Sequence, residues 1–128
     1  MQAVFANITD RISELLDVRP GVIAIVGGGG KTTLMYCLAD ELKQRGKVIV
    51  TTTTHIYCPT HIPVLTNATR ERVQAALAAD SVLCVAEPGQ LGKMQPPPMS
   101  MAELCALADY CIVEADGAKH LPLKAPAP

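Results

Sequence analysis

The sequence predicts an α/β fold: a doubly wound parallel sheet of about four strands, with helices on both faces in a three-layer arrangement. Apolar residues make up 49% of the 128 residues but aromatic residues only 3%, so the core must be aliphatic. Four short apolar runs do not alternate with polar residues, which is typical of parallel strands buried on both faces. Helical segments lie between these runs, and this alternation of strands and helices favours right-handed βαβ units.

The predicted strands are rich in Val and Ile, which favour extended backbone. They cover Val22–Val26, Val48–Val50, Val82–Ala86 and Cys111–Val113.

The predicted helices are recognised by their apolar spacing and by their ends. The second one places Leu34, Leu38 and Leu42 on one face and stops at Gly46. The last one opens with Ser100 and Glu103 in capping-box spacing. The four helices cover Ile8–Val18, Thr32–Arg45, Thr69–Asp80 and Ser100–Ala108.

Charge and cysteine content exclude several classes of protein. The chain has 11 basic and 12 acidic residues, so it lacks the positive charge expected of a nucleic-acid-binding protein. No segment predicts a membrane span or the apolar core of a signal peptide. The five cysteines are an odd number and most lie in apolar runs, which indicates reduced thiols and a cytoplasmic protein without a membrane partner.

Ligands of doubly wound sheets bind at the carboxyl ends of the strands, and a glycine run follows the first strand there. Its backbone N–H groups and the start of the next helix would cradle phosphate. The lysine would reach the β- and γ-phosphates, and the Thr32 hydroxyl would bind Mg²⁺, as in a P-loop. The first glycine of the usual pattern would fall on Ile25, so this loop is a variant. The predicted nucleotide-binding residues are Gly27, Gly28, Gly29, Gly30, Lys31, Thr32 and Thr33.

Threonines Thr51–Thr54 follow the second strand. Thr is a good strand former, so part of the run extends the strand, while one hydroxyl at this edge is a candidate for the site. His55, Cys58 and His61 then occur at intervals of three residues. Because no further partner for a zinc site is visible and prolines indicate a loop, we interpret these three as loop residues rather than metal ligands.

A Gly- and Pro-rich segment with Glu87 and Lys93 follows the third strand and ends at Pro98. Three interpretations of this segment are open: a mobile lid, a partner-binding segment or a structural connector.

The fourth strand leads into two carboxylates, Glu114 and Asp116. An acid at the tip of an apolar strand holds Mg²⁺ in P-loop proteins. Asp116 is the first choice for the metal site, and Glu114 is the second, or a group that orients water. The catalytic residue is not identified by the sequence, and Lys31 and Glu114 are the candidates. ATP or GTP with Mg²⁺ is the expected ligand, and no guanine-specific string appears.

Three strings together resemble the selenium-dependent hydroxylase accessory proteins, the YqeC family: Val26–Thr33, Thr51–His55 and Glu114–Pro126. The resemblance spans essentially the whole chain. It implies a P-loop NTPase-like fold and a nucleotide-binding accessory protein of the bacterial cytoplasm, which helps to mature selenium-dependent molybdenum hydroxylases. A molybdenum hydroxylase or its cofactor-maturation proteins are the implied partners. It also places Lys119, His120 and Lys124 in a basic segment that could meet phosphate or a partner.

We expect residues 1–128 to form one nucleotide-binding domain, the N-terminal portion of the longer family domain. The lead hypothesis is Mg²⁺-dependent triphosphate binding, with slow NTPase activity as an option. The alternatives are an ATP-using enzyme that acts on a selenium- or molybdopterin-related small molecule, and a phosphate-binding interaction module without hydrolysis. An unfinished sheet edge would also favour a homo-oligomer.

Overall fold

The structure is a computed structural model that describes residues 20–26 and 30–115. The predicted helix Ile8–Val18 lies outside the described residues. The strands are β1 (Gly21–Ile25), β2 (Val48–Thr52), β3 (Ile56–Tyr57), β4 (Val64–Leu65), β5 (Val82–Val85), β6 (Glu87–Pro88), β7 (Lys93–Gln95) and β8 (Tyr110–Glu114). The helices are α1 (Lys31–Leu42), α2 (Arg70–Ala79) and α3 (Met101–Cys105), with a 3₁₀ turn at Gln90–Gly92.

Five strands form the main sheet in the order β1-β8-β2-β5-β4. All four pairings between neighbouring strands are parallel. The last strand of the described residues, β8, therefore lies between the first two, β1 and β2. Its register aligns Glu114 with Ile25 of β1 on one side and with Thr52 of β2 on the other. The carboxyl ends of three strands that are far apart in sequence thus lie side by side.

The two faces of the sheet carry separate apolar clusters, as alternation along a strand requires. Ile112 of β8 belongs to the cluster that contains Leu34, Met35, Leu38 and Leu42 of α1. Its neighbours Cys111 and Val113 belong to the other cluster, with Val73 and Leu77 of α2 and Leu104 of α3. The predicted α/β class with helices on both faces of a parallel sheet is confirmed.

The four predicted strands are all present, but the main sheet of the described residues has five strands. The additional strand β4 has two residues and follows Pro63, so it is too short to show a periodic pattern. It lies at an edge, where it pairs with β5. Threonines Thr51 and Thr52 extend β2 beyond the apolar run, as their strand propensity suggests.

The segment around Glu87 and Lys93 is a β-hairpin within a second, antiparallel sheet of order β3-β7-β6. Ile56 of β3 and Met94 of β7 are buried in the same cluster as α1. This small sheet therefore packs on the α1 side of the main sheet. The segment predicted as a mobile lid, a partner-binding segment or a structural connector therefore forms a paired β-hairpin.

Helices α2 and α3 begin where their capping residues predict, whereas α1 and α3 end earlier than predicted. The side chains of Thr69 and Ser100 accept hydrogen bonds from the backbone N–H groups of Arg72 and Glu103. Helix α1 ends at Leu42 rather than Arg45, because the chain turns through residues 43–45 before Gly46. Helix α3 covers only Met101–Cys105. In the part of the chain that the structure describes, none of these helices has the length and apolar character needed to cross a membrane.

Candidate functional site

A polar cluster lies at the carboxyl ends of β8 and β2, on the side of the sheet that α1 covers. It consists of Lys31, Thr52, Thr54 and Glu114, and we call it the edge cluster. Three of its members are largely shielded from solvent: the side chains of Lys31 and Glu114 are 17% and 6% exposed, and Thr52 is buried. Buried polar groups of this kind must find partners within the protein.

Lys31 reaches the cluster because it is the first residue of α1. Gly30 precedes it with φ of 87°, in the left-handed region that favours glycine, and lets the chain turn into the helix. Leu34 and Met35 are buried against the sheet one turn later. Side chains three and four residues apart share a helix face, so this packing directs Lys31 over the sheet edge.

The Lys31 ammonium binds the end of β8 through two contacts. Its Nζ lies 2.7 Å from Glu114 Oε2 and donates to the Ala115 carbonyl at 3.1 Å. The backbone of Ala115 is itself held by β1, since its N–H donates to the Ile25 carbonyl at 3.1 Å. The amine is therefore aimed at the point where β1 and β8 end together.

Threonine hydroxyls from β2 and the residues after it hold the other oxygen of Glu114. Thr52 Oγ1 donates to Glu114 Oε1 at 2.7 Å, and Thr54 Oγ1 donates to the same atom at 2.6 Å. The Thr53 N–H also donates to the Glu114 carbonyl at 3.0 Å. Both carboxylate oxygens are thus engaged, and the orientation of the side chain is fixed.

These contacts determine the charge of Glu114. Burial by itself raises the pKa of this carboxyl group. Hydrogen bonds from Lys31, Thr54 and Thr52, together with the positive charge of Lys31, outweigh burial and hold the pKa below its ordinary value of 4.5. The edge cluster therefore contains an ionised carboxylate at neutral pH.

The four threonines of the run have different roles. Thr52 and Thr54 belong to the edge cluster, whereas Thr51 donates from Oγ1 to the Val85 carbonyl at 2.7 Å and joins β2 to β5. The sequence suggested one site hydroxyl without distinguishing the four positions. Alternation along β2 separates Thr51 from Thr52, and the placement of β8 beside β2 brings Thr52 to Glu114.

The other predicted site residues fall into two groups. Thr32 is half-buried and Thr33 is exposed in the first turn of α1, beside Lys31. Gly27, Gly28, Gly29, Asp116, Lys119, His120 and Lys124 lie outside the described residues.

The three residues considered as metal ligands have separate surroundings. His55 is exposed, and Cys58 Sγ lies 3.6 Å from the Pro59 carbonyl. The His61 ring meets the Tyr36 ring edge-on, with centroids 5.9 Å apart. Within residues 20–26 and 30–115, no group of three or more His, Cys, Asp and Glu side chains is arranged to hold a metal ion.

The oxygen donors near Lys31 are the type that Mg²⁺ prefers. Thr32 offers a hydroxyl, and Glu114 offers a carboxylate whose oxygens already bind Lys31, Thr52 and Thr54. The donor chemistry fits Mg²⁺, and both Glu114 oxygens are already engaged, whereas Asp116, the first choice from the sequence, lies outside the described residues.

Comparisons with known proteins give one family. The family model described as YqeC protein matches residues 23–128. The Escherichia coli (strain K12) protein named "Uncharacterized protein YqeC" is 36% identical over 115 residues, which cover 84% of this chain and 45% of that protein. The chain thus spans less than half the length of this relative. No solved structure gives a significant match.

Proposed function

The chain belongs to the YqeC family, and we propose that it binds the phosphates of a nucleoside triphosphate, together with Mg²⁺, beside the edge cluster. The glycine run before Lys31 and the first turn of α1 would contact the phosphates, in a fold of the P-loop NTPase type. ATP or GTP is the proposed ligand. A cytoplasmic accessory role in the maturation of selenium-dependent molybdenum hydroxylases is the part of the proposal that the family resemblance supports.

The observation that carries the proposal is the position of Lys31. A helix of 12 residues begins at this lysine, and the N–H groups in the first turn of a helix have no acceptor within the helix itself. The helix dipole and the ammonium group both favour an anion at this point. Strand β8, which ends in Glu114, lies directly beside β1, so an anion bound here would also be close to a carboxylate.

In this structure the Glu114 carboxylate is itself an anion bound to the Lys31 ammonium group. A phosphate oxygen has the same charge and accepts the same hydrogen bonds as Glu114 Oε2, which lies 2.7 Å from Nζ. Phosphate that takes this position on Lys31 would bring two negative groups together in a shielded site. When bound, Mg²⁺ supplies the positive charge that offsets this repulsion, which supports binding of the triphosphate as its magnesium complex.

The same geometry supports binding more strongly than hydrolysis. Hydrolysis needs a residue that positions the attacking water. Glu114 is the candidate among the described residues, but its two oxygens are held by Lys31, Thr52 and Thr54. We therefore propose nucleotide binding as the primary activity, with hydrolysis slow if it occurs.

Titration calorimetry with Mg-ATP and Mg-GTP tests the proposal. Lys31→Ala removes the ammonium group, so we expect the affinity of the preferred nucleotide to fall by about tenfold or more. Lys43→Ala is the matched control, because Lys43 flanks the other end of the same helix and pairs with Asp40 at the surface at 2.8 Å. Equal affinity for wild type and Lys31→Ala would refute the proposal, as would loss of binding in Lys43→Ala alone.

A further inference from the structure

The turn between β6 and β7 exposes a leucine in an unfavourable backbone conformation. Leu91 has φ of 58° and ψ of 32°, in the left-handed region, and its side chain is 95% exposed. Gly92 follows with φ of 74°, so two consecutive residues are left-handed. Glycine, asparagine and aspartate adopt this conformation at low cost, whereas leucine does so rarely.

The fold does not explain the choice of leucine at this position. The turn is closed by the backbone, since the Gly89 N–H donates to the Lys93 carbonyl at 2.8 Å. A Cβ atom on Gly89 would come within 3.1 Å of that carbonyl oxygen, so the close approach depends on glycine. Leu91 takes no part in this closure and exposes its apolar surface to water. Strain and exposure together point to a role outside the fold.

Two further side chains lie on the strands β3 and β7, the second of which begins two residues after Leu91. Tyr57 of β3 is 64% exposed and is the register partner of Lys93 on β7. Lys93 Nζ lies 4.9 Å from the centre of the Tyr57 ring. We call Leu91, Lys93 and Tyr57 the hairpin patch.

Buried residues and a hydrogen bond hold the strands beneath Tyr57 and Lys93. Ile56 and Met94 lie next to Tyr57 and Lys93 in their strands and are buried in the core. Tyr36 of α1 donates from its hydroxyl to the Tyr57 carbonyl at 2.8 Å. A protein that docks on this patch would therefore need to order few side chains, which lowers the cost of association.

We propose that the hairpin patch is a docking site for a protein partner that presents a large apolar side chain flanked by carboxylates. Leu91 would pack against that side chain, and Tyr57 would contribute the aromatic surface that is common at the centres of interfaces. Lys93 gives the patch its positive charge, and the complementary charge is negative. On β6, Glu87 Oε2 accepts from the Asn67 N–H at 2.5 Å, which orients this oxygen toward Asn67. This proposal does not depend on nucleotide binding.

Selection from a phage library of random linear peptides tests the proposal on the intact chain. We expect the selected peptides to combine a large apolar residue with Asp or Glu. Leu91→Asn should weaken their binding by about tenfold or more, because the apolar side chain is lost. Lys93→Glu should shift the selection toward peptides with Lys or Arg.

The substitution Leu91→Asn separates docking from folding. It places asparagine before Gly92, the pair favoured for consecutive left-handed residues, so the melting temperature should stay equal or rise while binding falls. Gln90→Asn, at an exposed neighbour in the same turn, should leave peptide binding unchanged. Absence of enrichment, or equal binding by Leu91→Asn, would overturn the proposal.

Two other occupants would also overturn it. One is a second copy of the chain, which light scattering would reveal as a concentration-dependent dimer that Leu91→Asn abolishes. The other is a lipid surface, which would appear as co-sedimentation with phosphatidylglycerol vesicles that depends on Leu91.

Discussion

At Glu114 the cost of burying a carboxylate is offset by a specific set of donors. An isolated buried charge is unfavourable by several kcal/mol, and a threonine hydroxyl pair on one oxygen and a lysine on the other stabilise this one. The same set orients the oxygen that faces Lys31. The residue that stabilises the site in the unliganded chain is thus the residue that a bound phosphate would compete with.

Thr51 and Thr52 are neighbours on β2 whose hydroxyls serve different purposes. Substitution of either by Val removes one buried hydrogen bond with little change of shape, so each should lower the free energy of unfolding by about 1–2 kcal/mol. Only Thr52→Val should raise the pKa of Glu114, because Thr51 donates to the Val85 carbonyl instead. Urea unfolding and carbon-13 NMR titration of the Glu114 carboxyl would measure the two effects. An equal rise of the pKa in Thr51→Val would contradict this assignment.

At the scale of elements, local sequence signals predict where helices begin better than where they end. Thr69 and Ser100 begin α2 and α3 through side-chain oxygens that accept from backbone N–H groups three residues later. These contacts depend on adjacent residues alone. The ends of α1 and α3 depend on where the chain must turn toward the next strand.

Removal of the cap on α2 should have a measurable cost. Thr69→Ala leaves the Arg72 N–H without its acceptor at 3.2 Å and should lower the free energy of unfolding by about 1 kcal/mol. Thr66→Ala is a control in the same segment, because Thr66 contacts Arg72 through its backbone carbonyl. Thermal or urea unfolding of both variants measures the difference, and equal losses would show that the cap contributes nothing.

At the scale of the whole molecule, β8 joins the two halves of the core. Its side chains alternate between the two apolar clusters, and it pairs with both β1 and β2. Packing around β8 therefore supports the sheet and the position of Glu114 at the same time. Strand β1, by contrast, lies at an edge of the described sheet with several half-buried side chains.

Because β8 is central and β1 is an edge strand, the same type of substitution should lower the free energy of unfolding more in β8 than in β1. Ile112 of β8 and Ile23 of β1 are register partners in the same cluster, but Ile112 is fully buried and Ile23 only partly. Ile112→Ala should lower the free energy of unfolding by roughly 2–5 kcal/mol, and Ile23→Ala by less, because the edge site can relax and hydrate. Urea unfolding compares them, and a larger loss for Ile23→Ala would contradict this description of the core.

The sequence by itself determined the features that depend on neighbouring residues. Aliphatic runs without alternation determined four of the five strands of the main sheet, and Thr69 and Ser100 determined two helix starts. The glycine before Lys31 placed this lysine at the beginning of a helix. Each of these signals acts within a few residues, through backbone conformation or side-chain period.

Only the tertiary structure decided which of these features meet. Lys31 and Ala115 are 84 positions apart and are joined because β8 inserts between β1 and β2. The same insertion brings Thr52 rather than Thr51 to Glu114. Pairing of the Gly- and Pro-rich segment with β3 creates the hairpin patch. Strand order and pairing arise from the joint burial of both faces of the sheet, which no local pattern encodes.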